Sequence, residues 1–341
     1  MVQIYFYPRF SAKSAAKKKN SEDRIMVRER RRFVMKSWIV VLTVLFFVVI
    51  VIIPGSGFAQ QKKAPLGFGF NNLENYREYV HLHGGAGTIR YVEEFGPADF
   101  KTNHQFFRVG VIPPKASIGE YRSTDSDELF VIMNGLVYVT VNGRTARIVG
   151  GSMVPVRINE TIGIYNPTDE DVQFAWLATA LKKGEYNSVD LKNDLTKKRF
   201  EEPCPFTWVP IDYGGFRITI KSAHGGKGPI YDTFGRIGPE YFKTDFGAYY
   251  LVLPPGTSIG YHQHDNKEEL YFVVSGRARG TVENVTLDLK PGDCTVVNIY
   301  GKHGIYNNGT EDLGLIVTQL DIYPKVPGKA AASLGDDLTN R

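Results

Sequence analysis

Short runs of alternating or β-branched apolar residues recur along the chain after residue 60, and Gly, Pro, Asn and Asp turns separate them. Residues 136–141, 249–253 and 294–299 are clear examples. Runs of this length and period are typical of strands. Many short strands at regular spacing predict an all-β protein with closed or sandwiched antiparallel sheets, because closure hides the sheet edges. Residues 72–80 are the best helical candidate, and residues 188–200 form a charged connector.

An internal repeat organises these strands into two copies. Residues 112–119 (IPPKASIG) recur as 253–260 (LPPGTSIG), and residues 128–135 (ELFVIMNG) recur as 269–276 (ELYFVVSG), both at an offset of 141. Upstream the offset slips to 142, where 96–102 (GPADFKT) matches 238–244 (GPEYFKT). A repeat of this length indicates two copies of one domain. We predict an N-terminal domain over 60–190 and a C-terminal domain over 191–341, with a linking region near 185–205.

The first 59 residues have the layout of a signal peptide. Residues 1–36 carry 11 Lys and Arg against 3 acids, residues 38–53 form an apolar run, and a Pro-Gly-Ser-Gly stretch follows. The run is shorter than the roughly 20 residues of a typical spanning helix, which favours cleavage before Gln60. An uncleaved N-terminal transmembrane anchor is the alternative. Either reading predicts a periplasmic or extracellular protein that meets a membrane only through this segment.

Composition excludes several classes of protein. The 341 residues are 43% apolar and 23% charged, which does not fit a disordered chain. The net charge of +5 belongs to the leader, because the chain after residue 59 holds 30 bases and 33 acids. No nucleic-acid partner is therefore expected. Cys204 and Cys294 are too few for a disulfide scaffold or a four-thiolate zinc site, and we expect neither to be catalytic.

Candidate chemistry is concentrated in the second copy. His262 and His264 are two residues apart, so on a strand they point to one face. A carboxylate from the following Glu268-Glu269 pair and the distant His303 can then close around one cation. This mixed nitrogen and oxygen set suits one divalent first-row metal, whether Fe, Mn, Ni, Cu or Zn, with room for exchangeable ligands.

The ordered set G, H-x-H, x4, E, x6, G, then P-G-D, H and x3-N resembles the two motifs of the cupin superfamily, and the duplication resembles its bicupin subset. The resemblance covers roughly residues 80–325 and implies two tandem jelly-roll barrels. It also implies that His262, His264, Glu269 and His303 are the metal ligands. Glu269 is preferred over Glu268 because it has the six-residue spacing to Gly276. We therefore expect Glu269→Gln to weaken metal binding and Glu268→Gln to leave it nearly unchanged.

The first copy lacks this set of ligands. At the 141 offset, Tyr121, Ser123 and Ile162 stand where the second copy has its three histidines, and only Glu128 is kept. We expect a metal-free first domain that serves as a packing partner, a homodimer surface or a wall of the second site. His83 and His224, each followed by Gly-Gly, are interpreted as turn residues rather than ligands.

A metal-dependent enzyme acting on a small oxygen-rich organic acid, phenolic or sugar derivative is the leading interpretation. Among bicupins the resemblance implies dioxygenases and decarboxylases, with sugar or keto-acid isomerases and lyases as an alternative. Tyr271 shares the strand face of Glu269 and is the candidate catalytic residue, and Tyr250 and Lys267 are weaker candidates for an acid or base. The alternative from another class is a non-catalytic protein that binds a metal or a sugar.

Overall fold

A computed structural model describes residues 65–212, 215–321 and 331–341. All of them lie in one compact unit, Lys63–Arg341. The predicted signal peptide or anchor lies outside these residues. Within them, no helix is both long enough and apolar enough to cross a membrane.

The described residues form 24 strands and four short 3-10 turns. The first half contains β1 (Phe68–Gly69), β2 (Arg77–Val80), β3 (Thr88–Phe95), β4 (His104–Ile112), β5 (Ser117–Ser123), β6 (Ser126–Ile132), β7 (Leu136–Val141), β8 (Arg144–Val149), β9 (Ser152–Val156), β10 (Thr161–Tyr165), β11 (Val172–Ala180) and β12 (Ser188–Asp190). The second half contains β13 (Val209–Pro210), β14 (Ile218–Ile220), β15 (Ile230–Ile237), β16 (Phe246–Leu253), β17 (Ser258–Gln263), β18 (Lys267–Ser275), β19 (Ala278–Val282), β20 (Val285–Leu289), β21 (Cys294–Val297), β22 (Lys302–Tyr306), β23 (Leu313–Asp321) and β24 (Ala332–Asp336). The 3-10 turns are Leu73–Asn75, Leu82–Gly84, Leu195–Lys197 and Pro239–Tyr241.

The strands build two similar barrels, each made of a seven-stranded and a five-stranded sheet. The N-terminal barrel has the strand orders β13-β9-β6-β11-β4-β3-β2 and β12-β5-β10-β7-β8. The C-terminal barrel has the orders β1-β21-β18-β23-β16-β15-β14 and β20-β19-β22-β17-β24. Neighbouring strands in both barrels pair antiparallel, as in β6 with β11 and β18 with β23. The predicted all-β architecture of two tandem antiparallel barrels is confirmed.

The helix predicted over residues 72–80 is wrong. Only Leu73–Asn75 forms a 3-10 turn, and Arg77–Val80 continues as strand β2. This strand pairs with β3, and the Tyr79 ring stacks on Tyr91 with 3.9 Å between centroids. Pairing with an existing sheet edge outweighs the weak local preference for a helix.

Two short strands cross between the copies. Phe68 in β1 pairs with Thr295 in the C-terminal barrel, and Val209 in β13 pairs with Met153 in the N-terminal barrel. The C-terminal barrel is thus extended by a strand that precedes the N-terminal barrel along the chain, and the N-terminal barrel is extended by a strand from the region that links the two barrels. Next to Thr295, Cys294 is a buried free thiol beside Gly69.

The two barrels have three apolar cores, and one of these cores joins the barrels to each other. One fills the N-terminal barrel and includes Trp176, another fills the C-terminal barrel and includes Tyr271, and the third lies between them. In this shared core, Phe107 of β4 packs edge to face on Phe272 of β18, with ring centroids 5.2 Å apart. The outer faces of the two seven-stranded sheets are therefore buried against each other.

We expect Phe107→Ala to lower the free energy of unfolding by about 3–5 kcal/mol, because it removes a buried ring from the shared core. Urea unfolding followed by circular dichroism measures the change. Phe216 is 73% exposed, so Phe216→Ala is the control and should change stability by no more than about 0.5 kcal/mol. Similar losses in both variants would contradict the packing of the two sheets.

Candidate metal centre

The four residues predicted as metal ligands come from two facing sheets of the C-terminal barrel. His262 lies on β17 and pairs directly with His303 on β22, in the five-stranded sheet. Glu269 lies on β18 in the seven-stranded sheet, and His264 follows the end of β17. The register of β17 shifts at His262 against both of its neighbours, which is the local irregularity that bulges produce beside functional sites.

One ligand atom from each of the four side chains lies within 4.8 Å of the other three. The Nε2 atoms of His262 and His264 are 2.9 Å apart. Both His264 Nε2 and His303 Nε2 lie 3.3 Å from Glu269 Oε2. All four residues are buried, so the structure brings the predicted ligand set to one point.

The hydrogen bonds around the cluster fit a bound cation. The Nδ1 of His262 lies 2.7 Å from the carbonyl oxygen of Gly260, which can only accept, so Nδ1 carries the proton and Nε2 presents its lone pair to the cluster. Such a bond to a backbone carbonyl is the usual support of a metal-binding histidine. His303 Nδ1 is buried without a hydrogen-bond partner, and His303 Nε2 has the 3.3 Å contact with Glu269 Oε2 but no well-aligned hydrogen bond. Coordination at one of these nitrogens would offset part of the cost of burying them. These donors form a site for a divalent metal ion.

The electrostatics of the cluster favour neutral His262 and His303 beside a charged carboxylate. Burial, together with a smaller effect of the neighbouring His303, lowers the pKa of His262 to about 2. Burial also lowers the pKa of His303, although Glu269 opposes that shift. Burial by itself would raise the pKa of Glu269, but contact with His264 and His303 holds it well below its usual range. Neutral imidazoles and an ionised carboxylate are the forms that bind metals.

Glu268 and Glu269 point to opposite sides of β18. Glu269 lies with the histidines inside the barrel, whereas Glu268 accepts hydrogen bonds from Lys101 N and Thr102 Oγ1 of the N-terminal barrel, both at 2.6 Å. Leu270 and Phe272 share the outer side and belong to the core between the barrels. Alternation along the strand therefore assigns one carboxylate to the cluster and its neighbour to the other barrel.

A cavity of about 470 Å³ opens beside the cluster and reaches Glu269 and Tyr271. Its wall is largely apolar, with Ile230 and Leu251 among its residues, and Asp232, Arg236 and Gln319 add polar groups. A pocket of this size and lining is typical of small-molecule sites.

Tyr271 and Tyr249 both line this cavity. The Tyr271 ring stacks on His303 with 4.5 Å between centroids. Burial raises the pKa of both tyrosines well above 10, and the charge of Glu269 adds to the shift, so both hydroxyls keep their protons at neutral pH. Tyr250, a candidate from the sequence, belongs instead to the core between the barrels. Lys267, the other candidate, donates to Gln319 Oε1 at 3.0 Å.

Asp232 and Arg236 are cavity residues that sequence reasoning missed. They form an ion pair across a register shift in β15, where Phe234 adopts a positive φ of 62°. Asp232 and Arg236 are four residues apart on β15, whereas their partners Leu251 and Tyr249 are two residues apart on β16, an irregularity that a simple strand pattern does not reveal. Tyr249 was missed because its strand is apolar on both faces, although it pairs with Arg236 in the sheet.

His224 contributes to the site without joining the cluster. It is a turn residue with φ of 51°, as its position before Gly225 predicted, and its ring stacks on His262 with 3.9 Å between centroids. Asn307, which follows His303 in the motif, holds a turn by donating to Leu253 O and Glu311 O. Asn166 makes the equivalent bonds in the first copy, so this asparagine serves the fold.

In the N-terminal barrel, aromatic groups occupy the corresponding place. Glu128, the counterpart of Glu269, accepts hydrogen bonds from Tyr121, from Trp176 Nε1 at 3.1 Å and from Tyr186 at 2.9 Å. His83 stacks on Tyr121 at 3.8 Å, just as His224 stacks on His262. Burial raises the pKa of Glu128 to about 7, although these bonds oppose the shift. The two copies therefore share the position of the glutamate and the stacked histidine, but hydroxyl and indole groups in the first copy stand where the second copy has imidazoles.

Comparison with known proteins agrees with this geometry. Residues 249–322 match the family model described as cupin domain. The C-terminal barrel contains a cupin domain, and the chain has the two-barrel architecture of a bicupin. The family match lies in the C-terminal barrel, where it spans Glu269 and His303, and the internal repeat and the second barrel account for the rest of the bicupin architecture.

Two curated relatives match part of the chain. An oxalate-binding protein of Thermotoga maritima is 33% identical over 63 residues, which are 18% of this chain and 52% of that protein. An uncharacterised protein of Methanocaldococcus jannaschii is 29% identical over 65 residues, 19% of this chain and 52% of that protein. The chain thus spans about half the length of the curated relatives it matches.

Among solved structures, oxalate decarboxylase from Bacillus subtilis resembles this chain with a TM-score of 0.54 and 17% identity. The match covers 80% of this chain and 79% of that one. A likeness at this identity shows the fold. Another structure of the same enzyme concerns its Mn(II) centres, at a TM-score of 0.51.

We expect the purified chain to bind about one divalent metal, and His262→Ala or His303→Ala to abolish that binding with little loss of fold. The apolar cores carry the barrel's stability, so the histidines are not needed for folding. Metal analysis beside far-ultraviolet circular dichroism tests this expectation. Two equivalents of metal in the wild-type chain, or unfolding of both variants as the metal leaves, would contradict it.

We expect Glu269→Gln to weaken metal affinity by about 10-fold or more, since the amide loses the anionic ligand but keeps its shape. Competition with a chromophoric chelator measures the dissociation constant. Glu128→Gln is the matched control, because it makes the same change at the corresponding position of the N-terminal barrel, and its affinity should equal that of wild type. Equal losses would exclude Glu269 as the ligand.

Proposed function

We propose that this bicupin binds a divalent transition metal through His262, His264, Glu269 and His303 and uses it to act on a small organic acid. The observation that carries the proposal is the buried ligand cluster at a cavity of about 470 Å³. The oxalate-related names of the relatives support a small carboxylate as the ligand. Fe, Mn, Ni, Cu and Zn all suit the donor set, and the Mn(II) centres of the fold relative support Mn among them.

The cavity suits an anion with a second polar end. A bound divalent ion would supply Lewis-acid polarisation of substrate oxygens. Arg236, on β15, is the one Lys or Arg among the described residues that line the cavity. Asp232 holds its guanidinium in place. A planar guanidinium recognises a carboxylate with charge-assisted hydrogen bonds, which gives an organic acid a second point of attachment.

Tyr271 and Tyr249 provide hydroxyl donors beside the cluster. Because their pKa values lie well above 10, each would donate a hydrogen bond to substrate oxygen at neutral pH. Tyr271 is held by its stacking on His303, so its hydroxyl is well placed to orient a substrate. These groups support an enzyme of the decarboxylase or dioxygenase type, with Tyr271 as its proposed catalytic residue.

A non-catalytic binding protein is the second candidate. The observation in its favour is that both carboxylates at the cavity already have charged or polar partners. Asp232 is paired with Arg236, and Glu269 contacts His264 and His303. Catalysis by general base needs a group that is free to take a proton. Turnover measurements distinguish the two functions.

We also propose that the bicupin is exported. The support is the basic and apolar layout of residues 1–59. Fractionation of cells that produce the full chain tests this proposal. Recovery of the unprocessed chain in the cytoplasm, without attachment to a membrane, would contradict it.

We expect oxalate or another small carboxylate to bind the metal-loaded chain and not the metal-free chain, as measured by calorimetry. Arg236→Gln should weaken this binding by about 10-fold, the loss of one charge-assisted hydrogen bond, and leave metal affinity unchanged. Oxygen consumption and carbon dioxide release, measured on the same samples, report dioxygenase or decarboxylase activity.

The control variant is Arg147→Gln, which removes an exposed guanidinium from β8 of the other barrel and should leave binding unchanged. Absence of carboxylate binding at every metal would overturn the proposed function. Binding without turnover under any condition would favour the non-catalytic function.

A further inference from the structure

The two barrels hold each other through a reciprocal pair of hydrogen-bonded contacts. Glu268 accepts from Lys101 N and from Thr102 Oγ1, both at 2.6 Å, and we name this contact the Glu268 clasp. Asp127 of the N-terminal barrel accepts from Thr244 N at 2.8 Å and from Thr244 Oγ1 at 2.9 Å, and we name this contact the Asp127 clasp. Each clasp thus joins an acid on one barrel to a threonine on the other.

The repeat explains why the clasps match. Asp127 and Glu268 are related by the 141 offset, and Thr102 and Thr244 end the repeated segments GPADFKT and GPEYFKT. Both acids are buried, with 0% of either residue exposed. A buried carboxylate that loses its donors pays the full cost of desolvation, so both clasps are expected to stabilise the packing of the barrels.

Only the Glu268 clasp adjoins the ligand cluster. Glu268 immediately precedes Glu269 on β18, so fixing one side chain fixes the backbone that carries the other. The Asp127 clasp precedes Glu128, whose carboxylate is held by aromatic side chains. In the described residues, the candidate metal cluster lies in the C-terminal barrel.

The segment that makes the Glu268 clasp also reaches the loop before His303. Asn298 donates from Nδ2 to the carbonyl oxygen of Asp99 at 3.2 Å. In the same loop, Tyr300 N donates to the carbonyl oxygen of His264 at 2.8 Å. Residues 99–102 of the N-terminal barrel therefore touch two of the three segments that bring ligands into the cluster, namely β18 and the loop before His303.

We propose that residues 99–102 of the N-terminal barrel position the metal centre of the C-terminal barrel, with Glu268 and Asn298 as positioning residues. Glu268 acts through Glu269, and Asn298 acts through the loop that leads to His303. The inference rests on the metal binding in the proposed function and not on its substrate. It assigns the N-terminal barrel a role in metal affinity.

This role changes one expectation from the sequence. Glu268→Gln was expected to leave metal binding nearly unchanged, because Glu268 was interpreted only as the neighbour that faces away from the barrel. The clasp uses both carboxylate oxygens of Glu268, and an amide keeps only one acceptor. The loss of affinity should therefore lie between that of Glu269→Gln and that of wild type.

The decisive experiment compares Thr102→Val with Thr244→Val in the full chain. Each variant deletes one hydroxyl donor from one clasp at nearly constant volume, and neither threonine is a metal ligand. Both should lower the melting temperature of the metal-free chain by a similar amount. Only Thr102→Val should weaken Mn²⁺ or Co²⁺ affinity, by about 10-fold, the scale of outer-shell effects on metal sites.

Two further measurements distinguish a residue that positions the metal ligands from one that only stabilises the fold. Thr102→Ser keeps the hydroxyl and should restore the affinity, and the visible spectrum of bound Co²⁺ should change in Thr102→Val but not in Thr244→Val. Equal effects of the two valine variants on affinity, or no effect of either, would overturn the inference. If either valine variant fails to fold, Asn298→Ala is compared with Arg157→Ala. Arg157 is the counterpart of Asn298 at the 141 offset, and its guanidinium lies 5.2 Å from the Tyr241 ring of the C-terminal barrel.

The proposed function can fail separately. A wild-type chain that binds metal but no carboxylate would contradict the organic-acid function and leave this comparison intact.

Discussion

Burial of both faces of strand β18 is the constraint on which the site depends. One face, with Tyr271 and Val273, lines the interior of the C-terminal barrel, and the other, with Leu270 and Phe272, packs against the N-terminal barrel. Successive side chains on a strand must alternate between these faces. The consecutive carboxylates at the start of the strand therefore serve two places, one at the ligand cluster and one between the barrels.

The two barrels show how one scaffold carries two kinds of interior. The glutamate of the repeat is kept as Glu128 and Glu269, and in each copy a histidine in a turn stacks on the residue opposite it. Imidazoles around Glu269 leave lone pairs directed at a common point, whereas hydroxyl and indole donors hydrogen-bond to both carboxylate oxygens of Glu128. The same backbone can therefore support a metal site or a closed hydrogen-bond network, depending on three side chains.

The cavity beside the cluster has the features of a small-molecule site because a local irregularity interrupts its wall. The register shift in β15 lets Asp232 and Arg236 form an ion pair at the cavity, while the surrounding strands supply apolar residues. Arg236 offers an anion a guanidinium at the cavity, which it shares with Asp232, and the cavity volume of about 470 Å³ limits the size of the ligand. Both effects support the proposed preference for a small organic acid.

Much of this protein could be predicted from its sequence, because some physical rules act locally. The period of apolar residues and the turn residues indicated strands, the 141-residue repeat indicated two domains, and the spacing of His262, His264, Glu269 and His303 indicated one cluster. Each of these signals depends on residues close in sequence or repeated in order. The prediction of a helix over residues 72–80 was wrong because it also used a local pattern, whereas pairing with the distant strand β3 determines the structure of Arg77–Val80.

The tertiary structure decided everything that depends on which surfaces meet. Both faces of β18 are apolar, so alternation alone could not tell the inner side from the outer until the N-terminal barrel covered one of them. The roles of Arg236 and Tyr249 at the cavity and of Thr102 at Glu268 likewise arise from contacts between distant segments. A residue's neighbours within a strand are set by the chain, but its neighbours across sheets are set by packing, which no local pattern records.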